Sequence, residues 1–158
     1  MENIIHCTLS EILDRAIQKE IESQLLYLDL NQKMIEKIAR DTFMDLARQE
    51  QEHQYILEQY QQGGIKSGVL DKEKVIDYEI VEHFDQPEIT SDMQLKDVYL
   101  MAATREKISH EFYLALASIH PAGNAKKLLN KLASQELEHK HKLEFLYTEV
   151  AFPQTAGG

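Results

Sequence analysis

From Thr8 onward, apolar residues recur every three or four positions, and no Gly or Pro interrupts them before about residue 39. Thr8 and Glu11 have capping-box spacing, so the pattern predicts a first helix over about 9–39. Asp41 is placed to cap a second helix over 42–62, which the pair Gly63-Gly64 stops. So short a link predicts an antiparallel hairpin. Residues 65–90 change character: Gly68, Asp71 and Pro87 interleave with short apolar runs that support at most one brief helix around Lys72 to Phe84. Beyond this crossover, Ser91 and Gln94 repeat the capping-box spacing ahead of a helix over 92–120. The run Pro121-Ala122-Gly123-Asn124 then precedes a fourth helix over 122–150, and the tail from Phe152 reads as loose.

Two hairpins with short internal links and one long connection predict an all-α, antiparallel four-helix bundle of the ferritin-like kind, with a single domain over 1–158. Six Gly and three Pro in 158 residues agree with long helices and few turns. The 27 acids against 17 bases give a net charge of -10, which would repel a phosphate backbone, so no nucleic-acid partner is expected. No apolar run is long enough to span a bilayer, and the start lacks a secretory pattern. Cys7 stands alone, which excludes an intramolecular disulfide or a C-x-x-C metal site and makes the cytoplasm the expected location.

The helices repeat. Leu46 and Leu132, 86 residues apart, begin the segments LARQEQEHQYILE and LASQELEHKHKLE, identical at eight of thirteen positions. The same shift carries Glu20 to Glu106, Ser23 to Ser109 and Tyr27 to Tyr113. In each second helix of a hairpin, Glu and His lie three apart (Glu50 and His53, Glu136 and His139), side by side on one face. In the first helices, Glu20 shares a seam with Leu13, Ala16, Tyr27 and Met34, and Glu106 shares one with Tyr99, Ala102 and Tyr113, so both acids should point inward. Four carboxylates in a bundle core need compensating charge. Two divalent ions balance them, with Glu50 and Glu136 bridging, Glu20 and Glu106 closing the two ends, and His53 and His139 giving one nitrogen to each ion.

A third such spacing, Glu138 with His141, faces roughly 160° away from Glu136 at ~100° per residue and reads as solvated surface. Tyr27 and Tyr113 fit two descriptions, plain core aromatics or donors that hold a ligand carboxylate. His110, one turn after Glu106, either reaches the site or is a hydrogen-bonded core or interface histidine; Gln24 holds its repeat position and favours the second.

Over the four helices, roughly Ser10 to Val150, these residues resemble the rubrerythrin branch of the ferritin-like superfamily. The resemblance implies iron at Glu20, Glu50, His53, Glu106, Glu136 and His139, a homodimer, and a di-iron oxidoreductase that reacts with hydrogen peroxide or O2 in defence against oxidative stress. Manganese or zinc would also suit these ligands. Rubrerythrins proper carry an iron centre on four cysteines, which this chain cannot form, so electrons are expected from a separate donor protein. The family also places an extra Glu one turn after the third-helix ligand, where this chain has Ser109. Two other readings stand beside the first: a ferroxidase or iron-storage protein of bacterioferritin type, and a bundle in which the metal is purely structural.

Overall fold

The computed structural model describes residues 7–76, 80, 86–90 and 92–153. Four long helices carry the fold: α1 (Leu9–Lys33), α2 (Lys37–Gln61), α3 (Leu95–Ser118) and α4 (Asn124–Ala151). One apolar cluster joins Leu9, Ile12 and Leu13 at the start of α1 to Leu57 and Tyr60 at the end of α2, Leu116 at the end of α3 and Leu129 near the start of α4. A second cluster joins Tyr27 and Leu30, Ala39 and Phe43, Val98 and Tyr99, and Leu143 and Leu146 from the opposite ends of the same helices. Hence α1 and α4 run one way, and α2 and α3 run the other. Because α2 ends where α3 does not begin, the chain between them must travel the length of a 24-residue helix, about 36 Å. This is the all-α four-helix bundle with a long crossover that the apolar pattern predicts.

Several boundaries differ from those read in the sequence. The first helix ends at Lys33 rather than near 39, and α2 starts at Lys37 with Glu36, not Asp41, in the cap position. Ala39 is fully buried beside Phe43 and Leu46 and opens the inward stripe of α2, while Ile35 and Ile38 are exposed, so these apolar residues had prolonged the pattern without entering the core. The third helix begins at Leu95, three residues later than expected; Gln94 occupies its cap position without a side-chain bond, and Ser91 lies outside the described residues. Of the brief helix expected around Lys72 to Phe84, residues 72–76 form a turn and a two-residue strand instead and Ile80 is helical; 77–79 and 81–85 lie outside the described residues, as do 154–158 of the tail.

That strand, β2 (Val75–Ile76), pairs antiparallel with β1 (Cys7–Thr8), in the register Cys7 to Ile76 and Thr8 to Val75. The ribbon continues into α1, whose first amides lack helical partners: Leu9 N donates to the Lys74 carbonyl (2.8 Å) and Ser10 N to that of Lys72 (2.9 Å). The predicted Thr8 cap forms, its hydroxyl oxygen accepting from Glu11 N at 3.3 Å. Earlier in the crossover, Gly68 (φ +74°) and Gly123 meet backbone to backbone, and a Cβ on Gly123 would lie 2.8 Å from the Gly68 Cα. Ser67 then accepts from Ala125 N through its carbonyl at 3.0 Å. Nearby, the buried pair Tyr60 and His120 (Oη to Nε2, 2.7 Å) also binds the crossover, because Tyr60 Oη accepts from Leu70 N at 3.2 Å.

Among the described residues, no helix is long and apolar enough to cross a membrane. The caps differ in a way that stability should show. Thr8→Ala removes a side-chain acceptor from the α1 terminus and should cost about 1 kcal/mol in urea unfolding, whereas Gln94→Ala, at a cap without such a bond, should change stability by less than about 0.5 kcal/mol.

Candidate metal centre

Between the two apolar clusters, at mid-length, each helix turns polar side chains inward. Glu20 from α1, Glu50 and His53 from α2, Glu106 from α3, and Glu136 and His139 from α4 are all buried, the most exposed being His139 at 5%. A three-residue separation on an α-helix puts each Glu and His of a pair on the same face, and the flanking leucines and alanines hold that face against the bundle axis. His53 Nδ1 lies 2.6 Å from Glu136 Oε1, 3.7 Å from Glu20 Oε1 and 3.8 Å from Glu50 Oε2. His139 Nδ1 lies 3.4 Å from Glu50 Oε1 and 3.5 Å from Glu106 Oε2. The two imidazoles stack with centroids 6.0 Å apart.

Two overlapping groups result. Glu20, Glu50, His53 and Glu136 offer ligand atoms within 4.8 Å of one another, and so do Glu50, Glu106, Glu136 and His139. Glu50 and Glu136 belong to both groups, so they could bridge two ions while the other four side chains serve one ion each. A sensitive test of fit is whether the potential ligand atoms are already satisfied by protein. They are not: Glu20 Oε2, Glu50 Oε1, His53 Nδ1, Glu106 Oε2, Glu136 Oε1 and His139 Nδ1 are buried without a hydrogen-bond partner among the described residues. Each of the six side chains thus turns one potential ligand atom toward the centre, and once deprotonated they form a donor set of oxygen and imidazole nitrogen that suits iron or manganese.

Around these atoms a second ring of side chains repeats with the same 86-residue offset. Tyr27 on α1 donates to Glu106 on α3, and Tyr113 on α3 donates to Glu20 on α1, so each tyrosine holds the other hairpin's carboxylate. Both phenols are pushed well above their ordinary pKa of 10.0, first by burial and then by the nearby carboxylates, and so remain protonated donors. His53 Nε2 meets Gln135 Oε1 at 2.8 Å, and His139 Nε2 meets Gln49 Oε1. An amide oxygen opposite Nε2 fixes a ring proton there and turns Nδ1 toward the carboxylates, the nitrogen that a metal would take. The sequence reading missed both glutamines. They are identical in the repeat and one residue ahead of each ligand Glu, which was the available signal.

Other expectations also find their places. His110 is half-buried, with Nδ1 2.6 Å from the Ala133 carbonyl oxygen, and it belongs to neither ligand group. Glu138 and His141 are exposed. Ser109 accepts from Gln86 Nε2 of the crossover at 2.8 Å, a contact that the sequence pattern did not show.

The family model described as Rubrerythrin matches residues 11–147. The chain belongs to the rubrerythrin family. Its single cysteine means that the family's four-cysteine iron centre is not encoded in this chain. Among solved structures, a Thermotoga maritima protein described as ferritin-like and diiron-carboxylate is 26% identical with a TM-score of 0.74, over 92% of this chain and 97% of that one. A hypothetical protein from Pyrococcus furiosus shares the fold at 24% identity and a TM-score of 0.71, over 94% and 93% of the two chains. A search of curated proteins finds no match.

The charge distribution in this rubrerythrin-family site sets a pH dependence. Burial and mutual repulsion push Glu50 and Glu136 well above the ordinary carboxylate value of 4.5. Burial alone would also raise Glu106, but Glu136, His139 and Tyr27 outweigh it and hold it at about 2; Glu50 and His53 likewise lower Glu20. Burial would lower His53, yet Glu20 and Glu50 raise it from 6.5 to about 10. Protons held on Glu50 and Glu136 in the folded chain are released on unfolding above pH 4.5, so their contribution falls as pH rises. The contribution of His53 is complete below 6.5 and is lost as pH rises through about 10, whereas that of Glu106 is present above 4.5 and lost as pH falls through about 2. Metal-free protein should therefore melt at its highest temperature near about pH 5 and lose stability toward about pH 8. Calorimetric melts across that range check the sign, and double replacement by Glu50→Gln and Glu136→Gln should flatten the decline.

Proposed function

We propose that the chain is a di-iron oxidoreductase that reduces hydrogen peroxide, with electrons delivered by a separate donor protein and a homodimer as the working unit. The observation that carries this reading is the set of six buried, unpartnered ligand atoms in two groups that share Glu50 and Glu136. Family membership points in the same direction. Four carboxylate charges balance two divalent ions, and iron is the proposed occupant. Two iron ions, each exchanging one electron between ferrous and ferric, would supply the electron pair that, with two protons, converts hydrogen peroxide to two waters.

The protein's own contribution is to position, insulate and hold protons. Gln49 and Gln135 fix both imidazoles with Nδ1 toward the centre. Because these partners are neutral amides, they orient the rings without adding charge to four acids already in repulsion. Tyr27 and Tyr113 clamp Glu106 and Glu20 while keeping their phenolic protons next to the site. Phe43 and Tyr99 in one apolar cluster and Leu13, Leu116 and Leu132 in the other close the ends of the site against bulk water. This dryness strengthens the electrostatic interactions inside and limits which small molecules arrive.

Anaerobic titration with Fe(II), followed by stopped-flow mixing with hydrogen peroxide or with air-saturated buffer, tests the reading. About two irons per chain and faster ferric absorption with peroxide than with O2 are expected. Faster reaction with O2 and uptake continuing beyond two would instead identify an iron-storage ferroxidase. Absence of stoichiometric binding would remove the site. In the same titration, Gln49→Leu or Gln135→Leu should weaken metal binding about tenfold or more, because each leaves an imidazole N–H without its acceptor.

A further inference from the structure

A small cavity touches the centre beside Glu20. It lies between α1, α3 and the crossover, is lined by Lys19, Glu20, Ser23, Gln86, Ser109 and Tyr113, and leaves about 10 Å³ for the centre of a water-sized molecule. That is room for about one oxygen atom with its hydrogens. Glu20 and Tyr113 form its inner wall, so an occupant would stand beside a potential ligand and beside the phenol that holds it.

The crossover makes this side different from its pseudo-symmetric counterpart. The 86-residue shift carries Lys19 to Arg105 and Ser23 to Ser109, yet Gln86 has no equivalent contact on the other side among the described residues. Arg105 Nη1 donates to the Pro87 carbonyl at 2.7 Å, which fastens the crossover to α3. One residue earlier, the Gln86 amide nitrogen donates to Ser109 Oγ at 2.8 Å and to the Arg105 carbonyl at 3.3 Å. The Gln86 amide oxygen, in contrast, is buried and has no partner among the described residues. A buried acceptor left open beside a cavity of mixed lining, with Ala16 and Phe112 among its walls, calls for a ligand that brings its own hydrogen.

We infer that this cavity is a docking subsite for a hydrogen-bond-donating oxygen, filled by water at rest and by one O–H of hydrogen peroxide in turnover, with Gln86 Oε1 as its acceptor. It deepens the peroxide reading above and rests on it. Hydrogen peroxide carries two O–H donors, and dioxygen carries none. Dioxygen in the same place leaves the Gln86 oxygen unsatisfied, so the subsite favours peroxide on hydrogen bonding alone. Gln86 is a specificity-determining residue in this account, reaching the site from the crossover rather than from the helices that carry the ligands.

Two readouts test the assignment. The first needs no metal: a high-resolution crystal structure should show an ordered water within hydrogen-bond distance of Gln86 Oε1, and Gln86→Met should lose it. A dry cavity, or Gln86 turned out to solvent, overturns the subsite. The second compares stopped-flow oxidation of iron-loaded protein by peroxide and by O2. Gln86→Met should lower the peroxide-to-O2 rate ratio about tenfold, the value of one hydrogen bond, with metal stoichiometry and melting temperature as controls. Gln86→Glu, which retains an acceptor oxygen of similar reach, should recover most of the ratio. An unchanged ratio in Gln86→Met, or equal loss in both variants, overturns the specificity role. If wild-type protein ignores peroxide altogether, the functional reading fails instead, and the ordered water still decides the subsite.

Discussion

Repulsion among four carboxyl groups in one apolar interior is the constraint around which the bundle is built. Glu20, Glu50, Glu106 and Glu136 are each almost fully buried, at a place where a hydrocarbon side chain would stabilise the fold without any such conflict. Without a cation, the conflict is relieved by unequal protonation: the two carboxyls common to both ligand groups are driven up and hold protons, while the two outer ones are held down by hydrogen bonds from those carboxyls and by their histidine and tyrosine neighbours. The protons on Glu50 and Glu136 therefore mark the places where positive charge is most needed. Metal binding and deprotonation at these positions are one event seen from two sides.

The pseudo-two-fold repeat shares this constraint between the hairpins. Each hairpin brings one Glu, one Glu and His pair, one Tyr and one Gln, but neither forms a complete site by itself. Tyr27 serves Glu106 and Tyr113 serves Glu20; Gln49 serves His139 and Gln135 serves His53. Every one of these bonds crosses between hairpins. The hydrogen bonds that orient the ligands thereby also set how the hairpins dock, which ties precision at the centre to the packing of the apolar clusters on either side. The crossover breaks the symmetry, since Gln86 and Pro87 hydrogen-bond Ser109 and Arg105 of α3 and so add a fifth segment beside an otherwise balanced centre.

Most of this architecture was legible in the sequence because helical period and a gapless repeat are both local, countable signals. Glu50 with His53 and Glu136 with His139 were readable as pairs because their spacing recurs at matching places, and the solvated reading of Glu138 and His141 followed from the same geometry. What escaped depends on three-dimensional placement. Seam positions put Tyr27 and Tyr113 inside, but which carboxylate each reaches is decided across hairpins and not along a helix. Gln49 and Gln135 stand one residue ahead of each ligand Glu, but that each reaches the opposite histidine is likewise decided across hairpins. The turn at Met34 to Glu36 has no Gly or Pro to mark it, and Ile35 and Ile38 imitate a continuing core stripe while standing in solvent. The β ribbon and the Gln86 contact belong to a crossover whose short apolar runs have no period to read.

The most direct test of the account is the location of metal in crystals of iron-loaded protein, measured by anomalous scattering at the iron edge. The account predicts two peaks per chain flanked by Glu50 and Glu136, one beside His53 Nδ1 and Glu20 and the other beside His139 Nδ1 and Glu106. A single peak, coordination through Nε2 with Gln49 and Gln135 displaced, or iron bound only outside this cluster would contradict it.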